Sequence, residues 1–464
     1  MKVLVASLLL LFVSFSQSAQ AQQNRGATPS PNLFGSVSQG TPSAGPISLS
    51  IADAIDRALK YNLGSIISEQ ETQVSRAARV RALAELLPKV SGGITETVQQ
   101  INLAAFGFGG FPGQPPVVGP FSVFDARARY AQTVVDFKLQ HELRSASERV
   151  TASNYSQQDV RELVVLIATD LYLEAVAGAS RVDAARAQLK TAQAVFGRAT
   201  NLKESGILAG IDVLRAQVQL QAQQQRVVAA ENELAKQKLN LARAIGLPQA
   251  QAFVQTDALV TTSPPLPPFD VALAGALDAR PDYRRAAALV RAAEESRKAA
   301  IGRRLPSLHV NADYGDIGRT PAFSHGSMAV QGSLLIPIYT GERARAEIME
   351  SEGLLEQRKA EASNLRDRIE YEIRTANLDI ESAANQMRVA QGTRDLAQQQ
   401  LIQAQDRFAA GVSIGLEVTQ AQEAIAGADE NYISSLYALN VAEAALARAM
   451  GTAEKTIKSF FGGK

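Results

Sequence analysis

The chain has 464 residues and a formal net charge of +1, with 47 Lys and Arg against 46 Asp and Glu, no Cys and no Trp. Balanced charge leaves no electrostatic footprint for nucleic acid, and the lack of thiols excludes a disulfide framework, a Cys-based metal site and a lipidated cysteine. Aromatic residues are only 6%, which with abundant Ala and Gln fits long helix-on-helix packing better than one thick core.

Met1-Lys2, an apolar run at 3–15 and the A-x-A site Ala19-Gln20-Ala21 read as a Sec signal peptide over 1–21. The run is shorter than the roughly 18 residues that a spanning helix needs. The next most apolar stretch, 163–176, contains Asp170 and Glu174, so no later segment is expected to cross a bilayer as a helix. Residues 22–47, with Pro29, Pro31, Pro42 and Pro46, read as a flexible leader.

From there one unit is written twice. LARAIG at 241–246 recurs as LARAMG at 446–451, an offset of 205 that also carries Gly206 to Gly411, Gly210 to Gly415 and Val213 to Val418. Leu87-Pro88 recurs as Leu305-Pro306 at an offset of 218, the surplus being a Gly/Pro-rich loop at 104–120 in the first copy. The first repeat is expected over 48–250: a helix at about 50–86, a strand pair at 89–137, a long helix at 138–205, a turn at 206–210 and a helix at 211–246. A Pro-rich linker, 251–268, leads to the second repeat, 269–452: a helix at about 270–304, a strand pair at 307–340, a long helix at 342–410, a turn at 411–415 and a helix at 416–451. Residues 453–464 are a tail.

Apolar and small residues step by three or four along each long helix, through Val160, Val164, Ile167 and Leu171 in one and Ile369, Ile373, Ala376 and Ile380 in the other. That is the spacing of a coiled-coil seam. At 1.5 Å per residue each helix is on the order of 100 Å long, too long for a globular domain. The two shorter helices of a copy, laid end to end, match one long helix and give a column of even height.

The turn GVSIG at 411–415 has the G-x-S-x-G form of a nucleophile elbow, which needs a strand before it, a helix after it and a His downstream. His141, His309 and His325 all lie upstream, a helical pattern precedes Gly411, and the first copy, GILAG, has Leu208 where Ser413 stands. No catalytic residue, cofactor site or metal site is expected. Three scattered histidines do not make a ligand set.

The strands alternate. Phe124, Ala126, Ala128 and Tyr130 oppose Asp125, Arg127 and Arg129; Leu308, Val310, Ala312 and Tyr314 oppose His309, Asn311 and Asp313. Half of a soluble sheet with one wet face reads this way, and so does a lipid-facing barrel with a polar lumen. Strands are expected near 89–103, 121–137, 307–317 and 326–339. Four cannot close a barrel, for which about eight is the minimum, so a barrel requires several chains.

The order LLPKVSGG, QTVVDF, SGILAGIDVLRAQ, LARAIGLP, then ARPDYRRAA, RRLPSL, LLIPIYTG, AAGVSIGLEVTQAQ and LARAMG resembles the TolC-type outer-membrane efflux channel family over nearly all of the chain beyond the signal peptide. The resemblance implies a mainly α fold with a small β part: a homotrimer whose twelve pooled strands form one outer-membrane barrel above a coiled-coil tunnel across the periplasm. It implies the exit duct of a tripartite efflux or type I secretion system, with a periplasmic adaptor (membrane fusion protein), an inner-membrane pump and outer-membrane lipid as partners, and no nucleic acid. The location implied is the outer membrane and periplasm of a Gram-negative-type bacterium. Gly206, Ile207, Gly411 and Val412 match adaptor-docking tip positions, the two glycines also fitting plain helix caps. Asp212 falls on the family's linking aspartate and Glu417 on one acidic ring position. Gln420 stands at the second ring position, Phe408 at a tyrosine and Ser413 at an arginine, so the expected gate rests on packing around Phe408. Asp212 and Glu417 equally fit first-turn helix stabilisation. Arg127 and Arg129 are expected in the barrel lumen, either giving an anion preference or pairing with Asp125 and neighbouring carboxylates. A soluble periplasmic coiled-coil adaptor or a structural envelope protein is the alternative. The exported solute and the pump class are not encoded in any visible motif.

Overall fold

The computed structural model describes residues 31–107, 115–262, 264–412 and 415–461. The stretch read as a signal peptide, the start of the leader, the middle of the Gly/Pro-rich loop, Ser413 and the last three residues lie outside the described residues. In chain order the elements are β1 (Ile47–Leu49), α1 (Ile51–Tyr61), α2 (Leu63–Ala84), β2 (Lys89–Asn102), β3 (Val117–Val135), α3 (Phe137–Glu204), α4 (Gly210–Ile245) and β4 (Phe253–Gln255). They continue as α5 (Phe269–Ala279), α6 (Pro281–Gly302), β5 (Ser307–Gly318), β6 (Ser324–Leu335), α7 (Arg343–Ala409), α8 (Gly415–Ala449) and α9 (Ala453–Phe461). α3 and α7 are 68 and 67 residues long. α3 starts directly after β3, where the Asp136 side chain caps it by accepting from Leu139 N at 3.0 Å, and α7 follows β6 after a short connection.

The helices expected at 50–86 and 270–304 are each two helices, broken at Asn62 and Arg280, whose ψ values of 135° and 122° are extended. The breaks are equivalent joints. Asn62 Nδ2 donates to Ala244 O at 3.3 Å, and Arg280 Nη1 donates to Ala449 O at 3.2 Å. Asn62 precedes Arg280 by 218 positions and Ala244 precedes Ala449 by 205, the two repeat offsets. Each joint thus pins a short helix to the last turn of α4 or α8. Pro281 enforces the second break by barring Arg280 from the α region. At the first, the Asn62 side chain accepts from Gly64 N at 2.8 Å and replaces a lost helix bond.

Gly246 and Gly451 end α4 and α8 at φ 72° and 71°. A Cβ on Gly451 would lie 2.9 Å from Arg280 Cα, and one on Gly246 would lie 2.6 Å from Tyr61 Cβ. Gly451→Ala therefore meets both a strained φ and the joint itself, and is expected to lower stability by about 2 kcal/mol or more. Gly451→Asn, which tolerates the φ but not the contact, should not restore the thermal midpoint.

The main core lies at these joints. Leu49, Ile51, Ile55, Val165, Tyr172, Leu173, Leu241, Ile245, Phe253 and Ile457 are buried together, drawing on both repeats, on β1 and β4, and on α9. The stretch read as a flexible leader is anchored at two points, with 37–46 exposed between them: Leu33 is in this core and β1 pairs in parallel with β4 of the linker. Tyr172 Oη donates to Leu49 O at 2.9 Å and to Asp257 Oδ2 at 2.7 Å, fixing leader and linker to α3. By length and composition α3 does contain a window apolar enough to cross a membrane, Asp170 and Glu174 notwithstanding. Within the protein 56% of that window is buried, and packing assigns it to this collar.

β2, β3, β5 and β6 form one antiparallel sheet in the order β2-β3-β5-β6. β3 starts earlier than the sequence suggested and β6 stops earlier, before Pro337, which has no N–H for a ladder.

Candidate functional site: the strand face and the helical tip

Register decides which side chains share a face of the sheet. Arg129 pairs with Ser91 and Asp313, and Tyr130 with Val90 and Ala312. One face therefore gathers Ser91, Thr95, Arg127, Arg129, Asn311 and Gln331, and the other Val90, Ile94, Tyr314, Met328, Val330 and Leu334. Every one of the last six is exposed. An exposed apolar sheet face of this extent, on a chain with a polar opposite face, is the reverse of a soluble half-sheet. Glu96 and Asp316 fall on the apolar side near the loop end, opposite Phe124 and Ala126.

Among the described residues the sheet is open, with β2 and β6 as unpaired edges. On the polar face Arg127 donates to Asp125 Oδ1 at 2.6 Å and to Asp313 Oδ1 at 2.7 Å. The pairing alternative thus describes Arg127. Arg129 is exposed and has no ionic partner among the described residues.

The long helices end in matching turns at the end away from the sheet. Gly206 and Gly411 are left-handed at φ 74° and 72°. Gly206 N donates to Lys203 O at 2.9 Å and Ile207 N to Leu202 O at 2.9 Å; Gly411 N donates to Phe408 O and Val412 N to Arg407 O, both at 3.1 Å. These bonds close the orphan carbonyls of a Schellman cap, which accounts for both glycines. They also hold Ile207 and Val412 outward, 66% and 69% exposed. Sequence reading missed that Ile211, Leu214 and Val218 are exposed on α4 beside Ile207. Their steps of four, three and four were visible as one helical stripe.

The gate positions divide. Phe408 is 3% exposed, packed among Leu401, Ala404, Val418 and Ala421, with Leu202 and Val213 of the first hairpin against the same cluster. Asp212 is held by Arg215 of its own helix at 3.1 Å, and Glu417 by Arg407 across its own turn at 3.4 Å. Gln420 is exposed. The links between the hairpins were not foreseen: Gln219 Nε2 and Arg226 Nη2 on α4 donate to the Glu423 carboxylate on α8 at 2.9 and 2.7 Å. The Arg226 hydrogen bond holds the Glu423 carboxyl below the usual range against the opposing effect of burial. Asp212, Gln219, Phe408, Thr419 and Gln422 line a narrow cleft between the hairpins. Among the described residues no three His, Asp or Glu side chains are placed to hold a metal ion.

A protein with this long-helix column and open apolar sheet has clear relatives. Residues 272–452 match the family model of outer membrane efflux proteins. The chain is 26% identical over 316 residues to the pyoverdine export outer membrane protein OpmQ of Pseudomonas putida, an alignment over 66% of each chain, just under two thirds of that relative's length. The fold is shared with the Campylobacter jejuni CmeC outer membrane channel at 15% identity and a TM-score of 0.75, over 94% of each chain. It is shared as well with the open-state MtrE outer membrane channel of Neisseria gonorrhoeae at 16% identity and a TM-score of 0.75, over 95% of this chain and 96% of that one. The Vibrio cholerae outer membrane protein VceC matches at 15% identity and 0.74, over 86% of this chain and 96% of that one. The second repeat thus matches the outer membrane efflux protein family, and the fold along most of the chain is that of solved outer membrane channels.

Proposed function

We propose that the protein is a trimeric outer-membrane channel-tunnel, the passive exit duct through which an inner-membrane pump discharges solute, engaged through a periplasmic adaptor at the glycine turns. The observation that supports it most is the open four-stranded sheet with an exposed apolar face, seated on helices of 68 and 67 residues. Three such sheets supply twelve strands and leave no edge, and a water-filled lumen needs no catalytic group. The exposed Ile207 and Val412, with Ile211, Leu214 and Val218 behind them, give an adaptor an apolar landing. A soluble adaptor would have no use for the apolar sheet face.

Two measurements test this. The protein should require detergent for extraction and then conduct ions in planar bilayers; recovery in the soluble periplasmic fraction would overturn the channel. Cysteines placed at Ile207 and Val412 should capture an adaptor by crosslinking in cells, whereas capture from mid-helix sites only would move docking away from the tip.

Selectivity in the barrel should depend on Arg129 rather than on both arginines. Arg127 is already shared by two carboxylates. Arg129→Glu is therefore expected to move the reversal potential under a salt gradient toward cation preference, and by more than Arg127→Glu. Equal shifts would mean that the Arg127 pairs are open in the assembled pore.

A further inference from the structure

The hairpins α3–α4 and α7–α8 occupy equivalent places in the repeat, yet their seams differ in chemistry. Leu401, Phe408, Val418, Ala421, Ile425 and Ala428 are buried together in the second hairpin. At the 205 offset their counterparts in the first are Phe196, Lys203, Val213, Ala216, Leu220 and Gln223. An exposed Lys thus replaces the buried Phe at the turn, and a Gln replaces a seam Ala above it. Two heptads beyond Gln223 the exchange recurs, with Gln237 where the second hairpin has Ala442. Gly178 makes room for it: a Cβ there would collide with Gln237 Oε1, and the second copy has Ala383 instead.

Gln223 is 1% exposed, and neither its amide nitrogen nor its amide oxygen has a partner; Gln237 Oε1 lacks one as well. Because Gln223 is already enclosed within one chain, contact with another chain cannot satisfy it. A buried amide left unpaired weakens the seam that holds it, and it draws in water where water can reach. Here a route exists. Gln219, one turn from Gln223 on α4, lines the narrow cleft between the hairpins together with Gln422, whose amide nitrogen is also unpartnered. Near the tip the first hairpin leans on the second, since Val195, Leu202, Leu208, Val213 and Ala216 pack against the cluster that holds Phe408. At the collar α3 is fixed again by the two bonds of Tyr172, so the weak stretch is bounded above.

We infer that the first hairpin is the compliant half of the tip: a wet seam at Gln223 lets α3 and α4 part locally, while the sealed α7–α8 seam stays shut around Phe408. A coiled-coil seam loses stability where a polar side chain interrupts it, and local opening begins where the fewest apolar groups are held. The asymmetry belongs to one chain. Resting on the reading of the protein as an exit duct, its consequence is that the tip widens from the α3–α4 side, with α8 as the fixed edge.

Amide hydrogen exchange on the full-length protein in detergent compares the matched segments. Protection over 213–230 should be about tenfold lower than over 418–435. Gln223→Leu keeps the volume and removes the amide, so it should bring 213–230 toward the protection of 418–435 and raise the unfolding midpoint. Ala428→Gln should carry the weakness into 418–435. In planar bilayers Gln223→Leu should lower resting conductance. Equal protection of the two segments, or lower protection of 213–230 in Gln223→Leu, would overturn the compliant seam. Unequal protection with a conductance that Gln223→Leu leaves unchanged would overturn the widening from the α3–α4 side. Protein that conducts in no form would remove the exit-duct reading, while the exchange rates would still decide the asymmetry of the hairpins.

Discussion

Arg280→Met is expected to destabilise the protein by about 3 to 5 kcal/mol, the usual loss when one partner of a buried ion pair is removed and the other stays charged. The Arg280 side chain is 3% exposed and donates to both Asp282 oxygens, at 3.0 and 2.6 Å, to Glu372, and to Ala449 O at 3.2 Å. These bonds tie the α5–α6 joint to α7 and to the end of α8. Burial pushes the Asp282 carboxyl up, but the Arg280 hydrogen bonds outweigh it and hold it below the ordinary range. A depressed carboxyl contributes stability that is complete above its unfolded value and is lost as pH falls through the lower folded value. The variant's deficit should therefore be largest at neutral pH and shrink in acid. Arg280→Met combined with Asp282→Leu should recover much of the loss, since no buried charge remains unpaired. Unfolding midpoints against pH decide this. A deficit that does not change with pH would mean that Arg280 acts through packing alone.

Phe408→Ala is expected to raise resting conductance well above that of Asp212→Asn, on the proposal that packing rather than ion pairs closes the tip. Phe408 is the largest side chain in the tip cluster, contacted from both hairpins. Its truncation removes about 3 to 5 kcal/mol of local packing. Above the tip the seam is weaker, as Gln223 and Gln422 are buried there with amide atoms that lack partners. Asp212 already bonds Arg215 on its own helix, so its loss frees no contact between hairpins. On the proposal that three Glu417 carboxylates ring the pore and concentrate cations, Glu417→Gln should leave closure unchanged and abolish block by multivalent ions. Glu423→Gln should fall between the two, since it loses the Arg226 ion pair but keeps a hydrogen bond to Gln219. Single-channel recordings rank the four variants. A pore sprung open by Asp212→Asn alone, with Phe408→Ala silent, would make the gate electrostatic.

Residue order alone determined the long helices, the two glycine turns and the strand alternation, because each is a local rule repeated in one register. A step of three or four places a seam on a helix, a step of two puts polar and apolar side chains on opposite faces of a strand, and a glycine just past the last periodic residue ends a helix at positive φ. The 205 and 218 offsets then showed that one architecture was used twice. The break at Asn62 was hidden because its side chain serves a carbonyl far along the chain, at Ala244; at Arg280 the Pro281 signal was local and readable, and only the bond to Ala449 O is distant. Distance hid the burial of Leu33, the seating of α9 and the Glu423 link in the same way, since none of these contacts has a sequence period. Arg127 and Arg129 look alike in ARARY, and the register sets Asp313 opposite Arg129, yet it is the Arg127 side chain that reaches Asp313 from the neighbouring position and Arg129 that is left exposed. Local periodicity is written in neighbouring residues; which surfaces meet, and which charges are thereby spent, is settled only when helices and strands from both repeats close on one another.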